Sequence, residues 1–208
     1  MLVSPNSRLI TFGDSWTGGH GVETNIQYKE VIDCGEFTNR LRVSNGWPKF
    51  LSSHLDIPFV NFGWCNLSNP EIIDIIKREQ SNFHEDDIIV VMLSYAYRGN
   101  GDPRKDIPEL TKTLDGTNYF ILNSFYPTFM ESPLEDLERF DLSRFLRPHN
   151  TMSEYLVNWE RDKKVSPWEY GFKNVDKEGS FLGGDYHPNI EGYKVLAWEI
   201  YNLILNHS

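Results

Sequence analysis

"DDIIVVMLS", residues 86–94, is the stretch that decides the fold class of this 208-residue chain. After two aspartates the run is continuously apolar and rich in β-branched side chains. A strand with one solvated face alternates apolar and polar residues, whereas a strand covered on both faces is a nearly unbroken apolar run. The stretch therefore predicts a central strand of a parallel sheet that is buried between two layers.

Further strands and helices are predicted on both sides of this stretch. The strands are "RLITF" (8–12), "IPFVNF" (57–62) and "NYFILNSFYP" (118–127). The helices are "NGWPKFLSSHL" (45–55), "NPEIIDIIKREQ" (69–80) with Asn69 as N-cap, and "NIEGYKVLAWEIYNLIL" (189–205) with Asn189 as cap. Strands that alternate with helices predict an α/β protein with a three-layer, doubly wound, flavodoxin-like parallel sheet.

The length of the chain favours one domain over residues 1–208. In two segments the apolar residues follow no sustained helical or strand period. Residues 17–44 are predicted to form a long irregular loop with a functional role, because long loops in compact domains usually have one. Residues 128–184 are predicted to contain a short helix near "SEYLVNWERD" (153–162) and to form a lid or insertion.

Charge and hydropathy exclude several partners. The chain has 30 acidic and 20 basic residues, a net charge of -10, so we expect no nucleic-acid partner. The basic clusters at 103–106 and 160–164 also contain acids and are predicted to be solvated faces. No secretory signal or membrane-spanning run is visible, which predicts a cytoplasmic or virion-associated protein without a membrane partner. The oligomeric state stays open.

No metal site or cofactor is expected from the sequence. Cys34 and Cys65 lie in no C-x-x-C motif, and the histidines show no H-x-H or H-E-x-x-H spacing. We interpret Cys65 as a small buried hydrophobe rather than a reactive thiol.

A candidate nucleophile follows the first predicted strand, in "FGDSWTGGHG" (12–21). Ligands of doubly wound sheets bind at the carboxyl ends of the strands, where Ser15 would lie. A serine hydroxyl needs a base and a group that orients the base. Near the other end of the chain, "GGDYHPNIEGY" (183–193) offers Asp185 and His187. The alternatives are a turn or cap serine and a surface histidine.

This ordered pair of segments resembles the first and last blocks of the SGNH, or GDSL-like, hydrolases. The resemblance implies an SGNH-hydrolase type of fold, with Ser15 as nucleophile, His187 as general base and Asp185 as its partner. "VNFGWCNLSN" (60–69) resembles the second block, whose backbone amide helps to bind the oxyanion together with the amide of Ser15. The family pattern runs N-x-x-x-x-G, and counting from Asn61 places Asn66 at the position of the glycine, with Gly63 as the alternative donor.

The third block departs from the family pattern. No asparagine follows the strand in "MLSYAYRGN" (92–100), so the side-chain oxyanion donor is missing from its usual place. Ser94 and Arg98 stand there instead, as in divergent members that include bacteriophage proteins. Arg98 is interpreted as an oxyanion or substrate contact or, alternatively, as the partner of a nearby acid. His20 is either a substrate contact or a surface histidine.

Two functions are compatible with these residues. The first is a serine ester hydrolase that acts through an acyl-enzyme, removing a small acyl group such as acetyl from a carbohydrate, with a small-molecule or glycan ester as substrate. The second is a catalytically weak or silent module of the same fold that binds a glycan or a protein, as part of a virus particle.

Overall fold

The computed structural model describes residues 3–4, 6–20, 45–94, 98–123, 143–146 and 187–207. A four-stranded parallel sheet lies at the centre of this part of the chain. Its strands run in the order β2-β1-β3-β4. They are β1 (Leu9–Gly13), β2 (Phe59–Asn61), β3 (Ile88–Leu93) and β4 (Asn118–Asn123). This is the doubly wound order that the alternating pattern predicts.

The third strand is the buried strand that the sequence indicates. Every residue of β3 is buried, and β3 pairs in parallel with β1 on one side and with β4 on the other. The pairing with β1 runs from Leu9 opposite Ile88 to Gly13 opposite Met92. The carboxyl ends of β1 and β3 therefore lie side by side.

Within the described ranges, four helices cover the two faces of the sheet. They are α1 (Trp47–Leu55), α2 (Asn69–Glu79), α3 (Pro103–Thr113) and α4 (Ile190–Asn206), and a short 3-10 turn (Gln80–Asn82) follows α2. Successive strand residues point to opposite faces. Leu9 and Val90 accordingly share one core with α1 and α4, whereas Ile10 and Val91 share the other with α2 and α3. The three predicted layers are present.

Two details of the helices differ from the sequence prediction. The N-cap of α2 is Ser68 rather than Asn69, because Ser68 and Glu71 form a reciprocal capping box. Asn69 is instead the first helical residue, and its side chain bonds the backbone of Ser94 at the end of β3. The Asn189 cap of α4 is confirmed, since its side chain accepts the amide of Gly192 at 3.0 Å.

Helix α3 was not predicted. Its sequence contains an internal Pro108 and several charges, which obscure an apolar stripe that consists of little more than Ile107 and Leu110. Pro103 in the first turn and the side chain of Asp102, which accepts the amide of Arg104, start the helix. The basic pair Arg104 and Lys105 is exposed, in agreement with the predicted solvated face.

The predicted helix at 153–162 and nearly all of the predicted lid at 128–184 lie outside the described residues, as does the predicted loop beyond residue 20. The four described residues at 143–146 pack against the edge of the sheet. Ile121 of β4 donates its amide to Arg144 and accepts that of Leu146. Phe145 and Leu146 are buried, so these residues belong to the core. None of the helices in the described ranges is long and apolar enough to cross a membrane.

A partly buried ion pair joins the starts of the two central strands. Arg8, just before β1, donates from Nε to Asp87 Oδ1 at 2.9 Å and from a terminal nitrogen to Oδ2 at 2.6 Å. The Asp87 side chain is fully buried and also accepts the amide of His84. Burial opposes ionisation of Asp87, but the bonds from Arg8 and His84 outweigh it and lower the pKa of this carboxyl.

We expect Asp87→Asn to lower the free energy of unfolding at pH 7 by about 1–3 kcal/mol, because charge-assisted bonds are lost. A lowered pKa in the folded state means that the unfolded chain binds more protons, so this stabilisation is present above about pH 4 and is lost as the pH falls further. Urea unfolding at several pH values measures both effects. The exposed neighbour Asp86 supplies the control, Asp86→Asn, and equal losses in both variants would contradict the assignment.

Candidate active site

A tight turn at residues 13–20, here called the serine turn, carries Ser15 directly after β1. The amide of Gly18 donates to the carbonyl of Asp14, and the amide of His20 donates to that of Ser15, both at 2.9 Å. Gly13 permits the turn to lie against β3, because a Cβ at Gly13 would come within 2.7 Å of the Met92 carbonyl oxygen. The strand order reverses between β1 and β3, so the serine turn borders the crevice where such sheets bind ligands.

Ser15 and His187 meet although 172 residues separate them in the chain. The Oγ atom of Ser15 lies 2.7 Å from Nε2 of His187, which is a hydrogen-bond distance. His187 stands just before α4, and the packing of α4 on α1 brings it to the serine turn. A neutral imidazole with its proton on Nδ1 can accept the serine proton at Nε2 and so activate the hydroxyl. Asp185, the predicted partner of His187, lies outside the described residues.

The two candidate oxyanion donors differ in their hydrogen bonds. They lie in the 63–67 loop that follows β2. The amide of Gly63 donates to Oδ1 of Asn61 at 2.8 Å, so this N–H is already engaged. Asn66 adopts the left-handed conformation, with φ at 68°, and is exposed. Within the described residues no hydrogen bond uses the amide of Asn66, which leaves Asn66 rather than Gly63 as the candidate donor.

Gly63 has a steric role instead. A Cβ at this position would lie 2.5 Å from the amide nitrogen of Gly18 and 2.5 Å from the carbonyl carbon of Thr17. Asn61 also holds this loop against the serine turn, because its side-chain amide donates to the Thr17 carbonyl at 2.8 Å. The 63–67 loop is therefore in backbone contact with the serine turn.

Asp14 is a site residue that the sequence reasoning did not single out. Its carboxylate is buried and accepts the Ser94 hydroxyl at 3.0 Å, a terminal nitrogen of Arg98 at 3.3 Å and the amide of Trp16 at 3.1 Å. Burial raises the pKa of Asp14, and these three donors oppose the shift. The sequence signal was its position immediately before the candidate nucleophile.

Ser94 and Arg98 occupy the place of the missing asparagine, and both face Asp14. The Ser94 hydroxyl donates to Asp14, and the side chain of Arg98 is one-third exposed and forms an ion pair with the same carboxylate. Of the alternatives for Arg98, the structure therefore shows a pair with an acid, and this acid is the neighbour of Ser15.

His20 lies in the site rather than on an isolated surface. Its ring centroid is 4.9 Å from that of His187, and its carbonyl accepts the hydroxyl of Tyr193 from α4 at 2.5 Å. Its Nε2 is 3.9 Å from the Sγ atom of Cys65 in the 63–67 loop. The sequence prediction that Cys65 is buried is wrong, because the loop exposes it beside His20.

Metal ligands are not assembled in the portion of the chain described here, where no group of three or more His, Cys, Asp or Glu side chains could hold an ion. The chemistry that these residues can perform is nucleophilic and acid–base. A serine hydroxyl, an imidazole at hydrogen-bond distance and a backbone amide are groups that acyl transfer requires.

Three solved structures are similar to this chain. A protein from Desulfitobacterium hafniense assigned to the lipolytic G-D-S-L family has a TM-score of 0.52 at 16% identity, covering 95% of this chain and 99% of that one. The psychrotrophic esterase EstA from Pseudoalteromonas sp. has a TM-score of 0.52 at 14% identity, covering 96% and 97%. A family two carbohydrate esterase from Clostridium thermocellum has a TM-score of 0.51 at 12% identity, covering 97% of this chain and 64% of that one.

Comparison with protein-family models and with curated protein sequences gives no match. At 12–16% identity the structural similarities establish the fold. Together with the order of the parallel strands and the helices on both faces, they show that the chain has the α/β fold of the SGNH, or GDSL-like, hydrolases.

Proposed function

We propose that this protein is a serine ester hydrolase that works through an acyl-enzyme intermediate. The observation that carries the proposal is the 2.7 Å contact between Ser15 Oγ and His187 Nε2 at the carboxyl end of the sheet. His187 takes the serine proton while Oγ attacks the ester carbonyl carbon, and then gives that proton to the departing alcohol. Water, activated by the same imidazole, cleaves the acyl-enzyme. Asp185 has the role of orienting His187.

The oxyanion formed during the attack needs hydrogen-bond donors. We assign the backbone amides of Ser15 and Asn66 to this task, because neither donates a hydrogen bond within the described residues and the two segments are in contact through Gly63. Ser94 does not replace the family's asparagine, since its hydroxyl is directed to Asp14. The oxyanion is therefore held by backbone groups.

For the substrate we propose a small acyl group, such as acetyl, on a carbohydrate. Trp64 in the 63–67 loop is 53% exposed, and a flat aromatic face beside the site suits the apolar face of a sugar ring. The similarity to the fold of a family two carbohydrate esterase is consistent with such a substrate.

A silent or weak binding module is the second candidate, and the third block favours it. Loss of one oxyanion donor typically slows an enzyme by about 10²–10³-fold. In place of that donor the chain has Ser94 and Arg98, which form a hydrogen bond and an ion pair with Asp14. A divergent member of this kind, of the bacteriophage type, would bind a glycan or a protein, for example in a virus particle.

Covalent labelling distinguishes the two candidates. We expect an ethyl p-nitrophenyl phosphonate to transfer one phosphonyl group to Ser15 with release of p-nitrophenol, which intact-mass spectrometry detects as a single adduct. We also expect the protein to release acetate from acetylated oligosaccharides. Ser15→Ala should abolish both, whereas Ser53→Ala, a change at an exposed serine on α1, should alter neither. Labelling without acetate release would overturn the carbohydrate substrate, and a complete absence of labelling would favour the binding module.

A further inference from the structure

Arg98 contacts two segments of the site with one nitrogen. Its NH1 atom donates to Asp14 Oδ2 at 3.3 Å and to the backbone carbonyl of Leu67 at 3.4 Å. Asp14 immediately precedes Ser15, and Leu67 immediately follows Asn66. Arg98 therefore touches the chain neighbours of both the nucleophile and the proposed oxyanion donor.

The carboxylate of Asp14 gives this contact its strength. Asp14 is 3% exposed, and its other donors, the Ser94 hydroxyl and the Trp16 amide, are neutral. A buried carboxylate that loses its cation is unfavourable, so the position of Arg98 and that of the serine turn are coupled. Gly99, which follows Arg98, lies against Ser68 beside the 63–67 loop, where a Cβ would be 3.4 Å from Ser68 Cβ.

We propose that Arg98 is a positioning residue that fixes the Ser15 hydroxyl relative to the Asn66 amide by holding Asp14 and Leu67 together. The proposal rests on the ester hydrolysis proposed above. In this role Arg98 contacts protein groups only and binds neither the substrate nor the oxyanion. Reactions of this type are sensitive to small displacements, since misplacing a reacting group by about 1 Å can slow them about 100-fold.

The test is a steady-state comparison of Arg98→Met and Arg98→Lys with the wild type on two p-nitrophenyl esters, the neutral acetate and an anionic succinate monoester. For Arg98→Met we expect kcat to fall at least about tenfold on both esters, with KM changed less than about twofold, because Arg98 faces protein groups. Arg98→Lys keeps the charge and should recover part of kcat. Arg78→Met, at an exposed surface pair on α2, is the matched control and should keep the wild-type kcat.

The possible results separate the proposal from its alternatives. A KM that rises only for the anionic ester, with kcat unchanged, would identify Arg98 as a substrate anchor and overturn the proposal. Wild-type kcat in Arg98→Met would also overturn it while leaving the ester hydrolase intact. A wild type without turnover and without phosphonate labelling would instead remove the proposed function itself.

A second variant keeps the test decisive if Arg98→Met folds poorly. Asp14→Asn combined with Arg98→Met removes both charges of the pair, so the folding defect of an unpaired carboxylate is relieved. This double variant still lacks the bond from Arg98 to Leu67. We expect it to melt near the wild-type temperature with a reduced kcat, and a wild-type kcat in the folded double variant would overturn the proposal.

Discussion

Replacing His187 with alanine is expected to lower ester turnover by at least about 10³-fold while leaving the sheet folded. The imidazole is the only group within the described residues that lies at hydrogen-bond distance from the Ser15 hydroxyl, 2.7 Å away. Without it no base takes the serine proton, and in enzymes of this chemistry the loss of the base costs about as much as the loss of the nucleophile. Steady-state turnover of p-nitrophenyl acetate, with circular dichroism as a folding check, measures the effect.

His54→Ala is the matched control for this prediction. His54 lies on α1, where its ring contacts Trp198 and Tyr201 of α4 far along the helix from His187. We expect this variant to keep its turnover. Equal turnover in His187→Ala and in the wild type would rule out His187 as the base, and partial recovery of His187→Ala by added imidazole would strengthen the assignment.

Gly63→Ala is expected to damage both activity and stability. The added Cβ would lie 2.5 Å from backbone atoms of Gly18 and Thr17, and backbone cannot move aside as a flexible side chain can. The 63–67 loop must therefore separate from the serine turn. We expect a loss of about 2–3 kcal/mol in the free energy of unfolding and at least about a 100-fold loss of turnover, measured by urea unfolding and by the ester assay.

Gly116→Ala separates these effects from a general glycine effect. Gly116 lies in the turn between α3 and β4 with φ at 79°, and an added Cβ would meet nothing within 4 Å. Strain in the left-handed conformation should cost about 1 kcal/mol of stability without affecting turnover. If Gly63→Ala behaved like Gly116→Ala, the close approach of the loop to the serine turn would not matter for function.

Much of the fold could be predicted from the sequence because its strongest signals are local. The apolar run at 86–94 must be covered by a layer on each of its two faces, and the apolar face of the helical period at 189–205 must be covered by the sheet. The strands and α4 accordingly lie where predicted. Helix α3 was missed because a short surface helix with Pro108 inside needs little apolar surface, and its pattern is hardly distinguishable from a solvated loop.

The candidate site was only partly predictable, for a geometric reason. Ser15 and His187 were identified through the two sequence blocks that contain them, and the structure places them together. The hydrogen bonds around Asp14 were not identified from the sequence, because Asp14 contacts Ser94 only through the adjacency of β1 and β3 in the sheet. No local pattern encodes which strands are neighbours. The bond between Gly63 and Asn61 likewise depends on the detailed path of a loop.

The attachment of α4 links the proposed ester hydrolysis to the packing of this helix on the sheet. Ser15 lies in the serine turn after β1, and His187 lies just before α4. The Tyr193 hydroxyl of α4 donates to the carbonyl of His20 and so connects the helix to the serine turn. A partial opening that releases α4 from the sheet would separate the His187 imidazole from the Ser15 hydroxyl while β1, β3 and β4 remained paired. We therefore expect the proposed ester hydrolysis to report loss of the native state more sensitively than the secondary-structure content of the sheet does.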